Sequence, residues 1–387
     1  MFQCAADSAV LARAPAGSRP RYVHRPRLHA RRSPAARAAP PPAAPTAPRK
    51  EQRVKKTLAL TATAVAALAL SACGGAGSTE TATDSAGSTA DAGQSYTIGV
   101  SQIVTHDSLD ASVEGFKAAL ADAGLTVGYD DQNANNDQTV AANIAGTFAA
   151  GDYDLILAVA TPMAQAVAQA ITDTPVLFTA VTDPEGAGLV DTNEAPGGNV
   201  TGTSDANPVK EQLELIKEIV PDATSVGVVY SPGESNSVVQ VEWVKEAAPD
   251  LGLEVVEAPA VTTADVQQAA DSLDVDAIYL PTDNTVISSI DSVLQVGESK
   301  QIPVFAAEGD SVAKGAIATY GLSYYQLGYQ TGEMAVRILT EGADPATMPV
   351  ETQQDLLLYL NLGAAERMGV TLPQSLIDQA DPENVTE

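Results

Sequence analysis

The chain has 387 residues with 49 Asp and Glu against 21 Lys and Arg, a formal net charge of −28. The first 56 residues hold thirteen of the 21 basic residues and only two of the 49 acids, so the remainder carries eight basic against 47 acidic side chains, a formal charge of −39. Such a surface repels nucleic acid and anionic lipid, which excludes a DNA-binding or membrane-surface role for that part.

Residues 1–56, with the tract AARAAPPPAAPTAP, offer no apolar pattern from which to build a core and are set aside from the fold. They read either as a basic tail or as a start-site error, with translation from an alternative start codon at Val54. Next comes VKKTLALTATAVAALALSACGG (54–75), in which Lys55 and Lys56 precede the fifteen uncharged residues Leu58–Ala72. That run is short of the roughly 20 residues a spanning helix needs, and its order is that of an export signal. Leu70-Ser71-Ala72-Cys73 resembles the bacterial lipobox, which implies cleavage before Cys73 and lipidation of its sulfur. The chain then hangs from a membrane by acyl groups, each buried methylene contributing about 0.8 kcal/mol. Residues 1–72 are thus extension and signal peptide, and 73–95 are lipidated Cys plus a flexible Gly/Ser/Thr/Ala linker.

From Tyr96 short apolar runs alternate with helical periodicity. YTIGVSQI reads as a strand; Leu109, Val113, Phe116 and Leu120 recur at helical spacing; LTVGYDDQ, LILAVAT and VLFTAVT add strands with helices between them. The order repeats with SVGVVYS, LEVVEAP, AIYLPTD and PVFAAE, strands beginning near 225, 254, 277 and 303 after an earlier set near 97, 126, 155 and 175. Repeated βα units give a parallel sheet with helices on both faces, and two copies predict two lobes. AIATYGL, a long helix over 324–339 and DLLLYLNL follow, and three chain crossings between the lobes make a hinge opposite a cleft. The expected fold class is therefore α/β, with two Rossmann-like lobes of parallel sheet. Lobe 1 is assigned to 96–203 plus 314–340, and lobe 2 to 204–313 plus 341–387.

The phrases IGVSQIVTHDSLDASVEGFKAAL, AVATPMAQAVAQA, LFTAVTDPEGAGLV, GNVTGTSD, YSPGESNSVVQVEWVKEAA and IYLPTDNTVISSI carry a family resemblance. Residues 96–380 resemble the substrate-binding lipoproteins of bacterial ABC transporters with the type I periplasmic-binding-protein fold, in particular the family with tryptophan- and other aromatic amino-acid-binding members. The resemblance implies capture of a small molecule, an amino acid and possibly an aromatic one, by hinge closure, and delivery to a permease whose ATPase is a separate subunit. It implies a monomer at the outer face of the cytoplasmic membrane, attached only through its lipid.

Ligands of open parallel sheets bind beyond the carboxyl ends of the strands. Those ends nominate Gln102, His106, Thr161, Thr182, Asp183 and Pro184 in the first lobe, and Glu234, Asn236, Ser237, Asp283, Asn284 and Glu308 in the second. Thr161, Ser237 and Asp183 equally suit helix caps, and His106 equally suits packing. Asp183, Asp283, Glu234 and Glu308 are acceptors for an ammonium, with Asp283-Asn284 the leading pair. The only arginines after the signal, Arg337 and Arg367, fall on predicted helices away from the strand ends, so a ligand carboxylate is left to hydroxyls such as Thr161 and Ser237 and to helix N–H groups. Tyr320, Tyr324 and Tyr325 suit an aromatic ligand or helix packing.

No cysteine follows Cys73 and His106 is the only histidine after the signal, which removes thiolate chemistry and histidine-rich metal sites. No P-loop, HExxH or Ser/His/Asp order occurs, so neither enzyme activity, cofactor nor metal is expected. A sensory lipoprotein reporting to a membrane receptor is the alternative to an importer component.

Overall fold

A computed structural model describes residues 95–387, and the signal, Cys73 and most of the linker lie outside the described residues. The first lobe begins with β1 (Ser95–Gln102), α1 (Asp107–Asp122), β2 (Thr126–Asn133), α2 (Gln138–Ala149), β3 (Leu155–Val159), α3 (Thr161–Ala170), β4 (Val176–Val181) and β5 (Val200–Ser204). The second contains α4 (Val209–Ile219), β6 (Ser225–Tyr230), α5 (Ser235–Ala247), β7 (Glu254–Pro259), α6 (Val266–Asp271), β8 (Ala277–Leu280), α7 (Asn284–Ile287), α8 (Ile290–Lys300), β9 (Val304–Ala306), α9 (Gly309–Lys314) and β10 (Ala318–Gly321). The chain ends with α10 (Tyr324–Glu341), β11 (Glu351–Thr352), β12 (Leu357–Asn361), α11 (Leu362–Arg367), α12 (Gln374–Gln379) and β13 (Val385–Thr386).

The lobes repeat one wind. Strand order is β2-β1-β3-β4-β5-β11 in the first and β7-β6-β8-β9 in the second, all parallel. The central strands β3 and β4 are buried along their whole length, which is why their sequences are unbroken apolar runs. The edge strands β2 and β7 alternate and carry acids. Each lobe has its own apolar core, with Ile98, Phe116 and Leu157 in the first and Val228, Tyr279 and Phe305 in the second.

The chain crosses between lobes at 205–208, 322–323 and 353–356; the first lies beside the expected boundary at 203/204, and the other two lie some ten residues beyond those expected at 313/314 and 340/341. Strand β10 pairs antiparallel with β12, Ala318 opposite Leu360, and so belongs to lobe 2 and not to the segment assigned to lobe 1. Beyond α10, Met348 packs into the first core and Glu351 pairs with Thr203, so 341–352 belong to lobe 1 and not to lobe 2. A four-residue strand carries no mark of its sheet; only its hydrogen-bonding partner, distant in sequence, assigns it.

The hinge helix α10 is locked to α1 at backbone contact. A Cβ added to Gly328 would lie 1.8 Å from the Ser112 carbonyl oxygen, and one on Gly115 2.0 Å from that of Tyr325. The glycines therefore allow a helix approach that any side chain forbids. Gly328→Ala is predicted to cost about 3 kcal/mol, the upper range for overpacking, because the atom it meets is backbone and cannot rotate away. Urea unfolding of the variant checks this, and an unchanged midpoint would refute the contact.

Candidate functional site

The carboxyl ends of both sheets face each other across a narrow cavity, about 20 Å³ in volume with the lobes as they stand. Its chemistry is set by acids without cations. Asp205, immediately after β5, is only 2% exposed; its Oδ1 accepts from Thr182 Oγ1 at 2.9 Å and its Oδ2 from the Tyr324 hydroxyl at 2.6 Å. Burial pushes its pKa up, opposed by these two hydroxyls. Among the described residues no Lys or Arg lines the cavity, and Arg337 and Arg367 are paired with Glu351 and Glu298.

The other acids are occupied by protein donors. Asp283 caps α7, accepting from Val286 N at 2.7 Å, and also takes the Ser231 amide and Ser237 Oγ. Burial raises its pKa, with the Glu234 charge second, against those three donors. Glu234 receives both the amide N–H and the side chain of Asn284 and of Thr285. Glu308 caps α9 through the amides of Asp310 and Ser311 and accepts from Ser108 Oγ at 2.9 Å.

That last bond crosses the cleft. So do Asn136 Nδ2 to Thr285 Oγ1 at 2.9 Å and the Lys314–Asp107 ion pair at 3.2 Å. The lobes are therefore closed on each other, held by polar contacts at the N-termini of α1, α7 and α9, by Lys314 at the end of α9 and by Asn136 ahead of α2.

Several buried polar atoms in or beside the cleft have no protein partner: His106 Nδ1, Asn236 Oδ1 and, at the start of α3, Thr161 Oγ1. Ala160 and Ala180 line the same cavity with φ of +75° and +57°. Non-glycine residues rarely hold such angles, and strain of this kind concentrates where a backbone must present itself to a ligand.

The residues nominated from sequence divide into groups. His106, Thr182, Asn236, Asp283, Asn284 and Glu308 line the cavity. Thr161 is buried beside the lining residue Ala160. Glu234 and Ser237 stand behind, holding Asn284 and Asp283. Gln102 donates to Val104 O and Asp110 within its own lobe, while Asp183 accepts from the Gly186 amide in the turn that begins at Pro184; none of the three lines the cavity. Sequence reasoning passed over Asp205, although an acid ending the buried run VTGTS carries the same signal that singled out Asp283. The positive-φ alanines left no trace in sequence, since alanine is not a residue that advertises such angles.

A family model described as ABC transporter substrate binding protein matches residues 97–384. The chain belongs to this family. It is 43% identical over 270 residues to a tyrosine-binding protein of Clostridioides difficile, covering 68% of this chain and 78% of that one. A Streptococcus pneumoniae ABC domain in complex with L-Trp is 36% identical, with a TM-score of 0.73 over 76% of this chain and all of its own, 100%. A ligand-free, open substrate-binding protein with adhesive properties from Clostridium difficile is more identical, 43%, over 75% of this chain and 98% of its own, yet its TM-score is 0.58. Greater likeness in shape to the ligand-bound relative accords with the closed lobes. The protein is thus a substrate-binding protein of the type I periplasmic fold and not an enzyme.

Two predictions follow from the cleft's hydrogen bonds and titration. Asp283→Ala leaves three buried donors without their acceptor and is predicted to lower stability by about 3 kcal/mol, measurable by urea titration; an unchanged midpoint would refute the network. His106 is held near pKa 4, chiefly by burial and then by the Lys314 charge, with Asn284 and Asp107 opposing. Its stabilising contribution is complete above the unfolded value of 6.5 and is lost as pH falls from there to about 4, about 3 kcal/mol in all. Unfolding free energy of wild type should fall across that window more than that of His106→Leu, and parallel curves would contradict the shift.

Proposed function

We propose that this protein is the solute-binding lipoprotein of an ABC importer, anchored through Cys73 at the outer face of the bacterial cytoplasmic membrane. Its ligand is an aromatic amino acid, tyrosine first, closed between the lobes and presented to the permease. The observation that carries the amino-acid reading is Asp205, a buried carboxylate held by two hydroxyls in a cavity with no Lys or Arg. A buried charge demands a partner, and a ligand ammonium supplies one. Simple anions and sugars do not.

The ligand carboxylate is held by the free N–H groups of the first turn of α3 and by Thr161 Oγ1, which is buried and lacks a protein partner. Leu109 and Ile287 line the cavity and receive an apolar ring. The tyrosine-binding and L-Trp-bound relatives support the aromatic choice. Closure follows from differential binding: each half of the ligand site belongs to one lobe, so only the closed form contacts both, and the ligand shifts the population toward it.

Calorimetric titration of residues 95–387, which contain both cores, against the twenty amino acids, sugars and nucleosides tests this. Tyrosine or tryptophan should bind, and Asp205→Asn should weaken binding ten- to a hundredfold, as expected for a charged hydrogen bond. Selective binding of a sugar or nucleoside would sink the amino-acid reading. For the anchor, Cys73→Ser should move the protein from the membrane fraction to the medium; retention on the membrane would contradict lipidation.

A further inference from the structure

Three polar contacts join the lobes across the cleft, and they differ in their exposure to water and to the cavity. Lys314 and Asp107 pair at 3.2 Å with side chains 34% and 62% exposed, so solvent and salt screen them. Ser108 and Glu308 both line the cavity, and their contact belongs to the ligand site itself. The third, from Asn136 Nδ2 to Thr285 Oγ1 at 2.9 Å, is partly buried, and neither residue lines the cavity.

Each end of this bond is fixed within its own lobe. Thr285 has a single hydroxyl proton, which goes to Glu234 Oε1 at 2.6 Å, and the Thr285 amide reaches the same oxygen at 3.0 Å. Oγ1 is left with acceptor capacity alone, strengthened by donation to a carboxylate. The Asn136 amide must therefore meet it with the N–H end. On the other side, Asn136 and Asn135 hold φ of +59° and +50° in the turn between β2 and α2, angles that Asn tolerates better than most side chains. That turn is bolted to the end of β1: the amides of Ala134 and Asn136 donate to the carbonyls of Gln102 and Ile103 at 2.9 and 2.7 Å, and Asn133 Nδ2 donates to Thr105 Oγ1 at 3.0 Å. The first lobe thus holds out a fixed donor and the second a prepared acceptor. The acceptor also shares its anchor with the cavity wall, since Glu234 Oε2 takes the Nδ2–H of the lining residue Asn284 at 2.6 Å.

Resting on closure over an amino acid as set out above, we propose that Asn136 is the latch of the closed form, a residue off the cavity wall whose hydrogen bond to Thr285 sets how long the ligand stays. The bond joins two lobes that part on opening, so it forms after the ligand has docked and breaks before the ligand leaves. It acts on release and not on capture.

The test measures association and release of L-tyrosine and L-tryptophan on residues 95–387, release being followed by chasing labelled ligand with unlabelled. Asn136→Gly deletes the donor at a φ that glycine accepts freely, and Asn136→Asp keeps the shape while setting an acceptor against an acceptor. Both should release ligand about two- to tenfold faster, the range for one hydrogen bond, with association within twofold of wild type. The urea midpoint of the ligand-free variants should match the wild type. In a Thr285→Val background, where the acceptor is gone, Asn136→Gly should change release no further. Release at the wild-type rate in both variants overturns the latch and leaves the amino-acid reading standing. So does a variant that loses stability without ligand and associates more slowly, since that marks a local structural role, and so does an undiminished effect of Asn136→Gly beside Thr285→Val. Binding of neither amino acid to the wild type overturns both readings.

Discussion

A carboxylate buried without a cation governs this molecule. Asp205 stands at the first crossing between the lobes and Tyr324 just past the second, and the hydrogen bond between them ties the hinge to the floor of the cleft. An ion so placed is costly while the lobes are closed unless something brings the opposite charge. Among the described residues the cavity has no Lys or Arg to do so. Under the proposed function, closure is therefore conditional on the ligand, a shape that reports occupancy.

The remaining architecture makes that condition mechanical. Helix α1 carries Asp107 and Ser108 at its N-terminus, the two lobe-1 groups that reach Lys314 and Glu308 across the cleft. The same helix is fused to the hinge helix α10 by the glycine contacts at 115 and 328. That contact joins the latching groups of α1 to the helix that follows the second crossing. In the second lobe Asp283, Glu234 and Glu308 serve as anchors for the loops that face the ligand, each surrounded by its own donors. These acids are scaffolding that positions Asn284 and the α7 N-terminus on the cavity wall.

How much of this was legible in the sequence depended on range. The alternating wind was readable because β3 and β4, buried on both faces, must be apolar throughout, and because helices such as α1 must bury Leu109, Phe116 and Leu120 on one side. The cleft was readable as a place, since strand ends that turn polar announce it. What did not read through was the division of labour among the acids. Asp283 and Asp205 each follow a buried apolar strand, and only the three-dimensional donor count separates a saturated carboxylate from one with capacity left. The lobe membership of 318–321 failed for a similar reason, its partner β12 lying some forty residues on. The strain at Ala160 and Ala180 had no sequence signature at all.

The central claim is that ligand charge licenses closure, and small-angle scattering tests it most directly. Residues 95–387 would be measured alone and with saturating L-tyrosine, wild type beside Asp205→Asn. The account predicts that tyrosine shrinks the radius of gyration of the wild type, while Asp205→Asn, freed of its buried charge, is already compact without ligand. A wild type whose dimensions ignore a bound ligand, or an Asp205→Asn as open as the unliganded wild type, would contradict it.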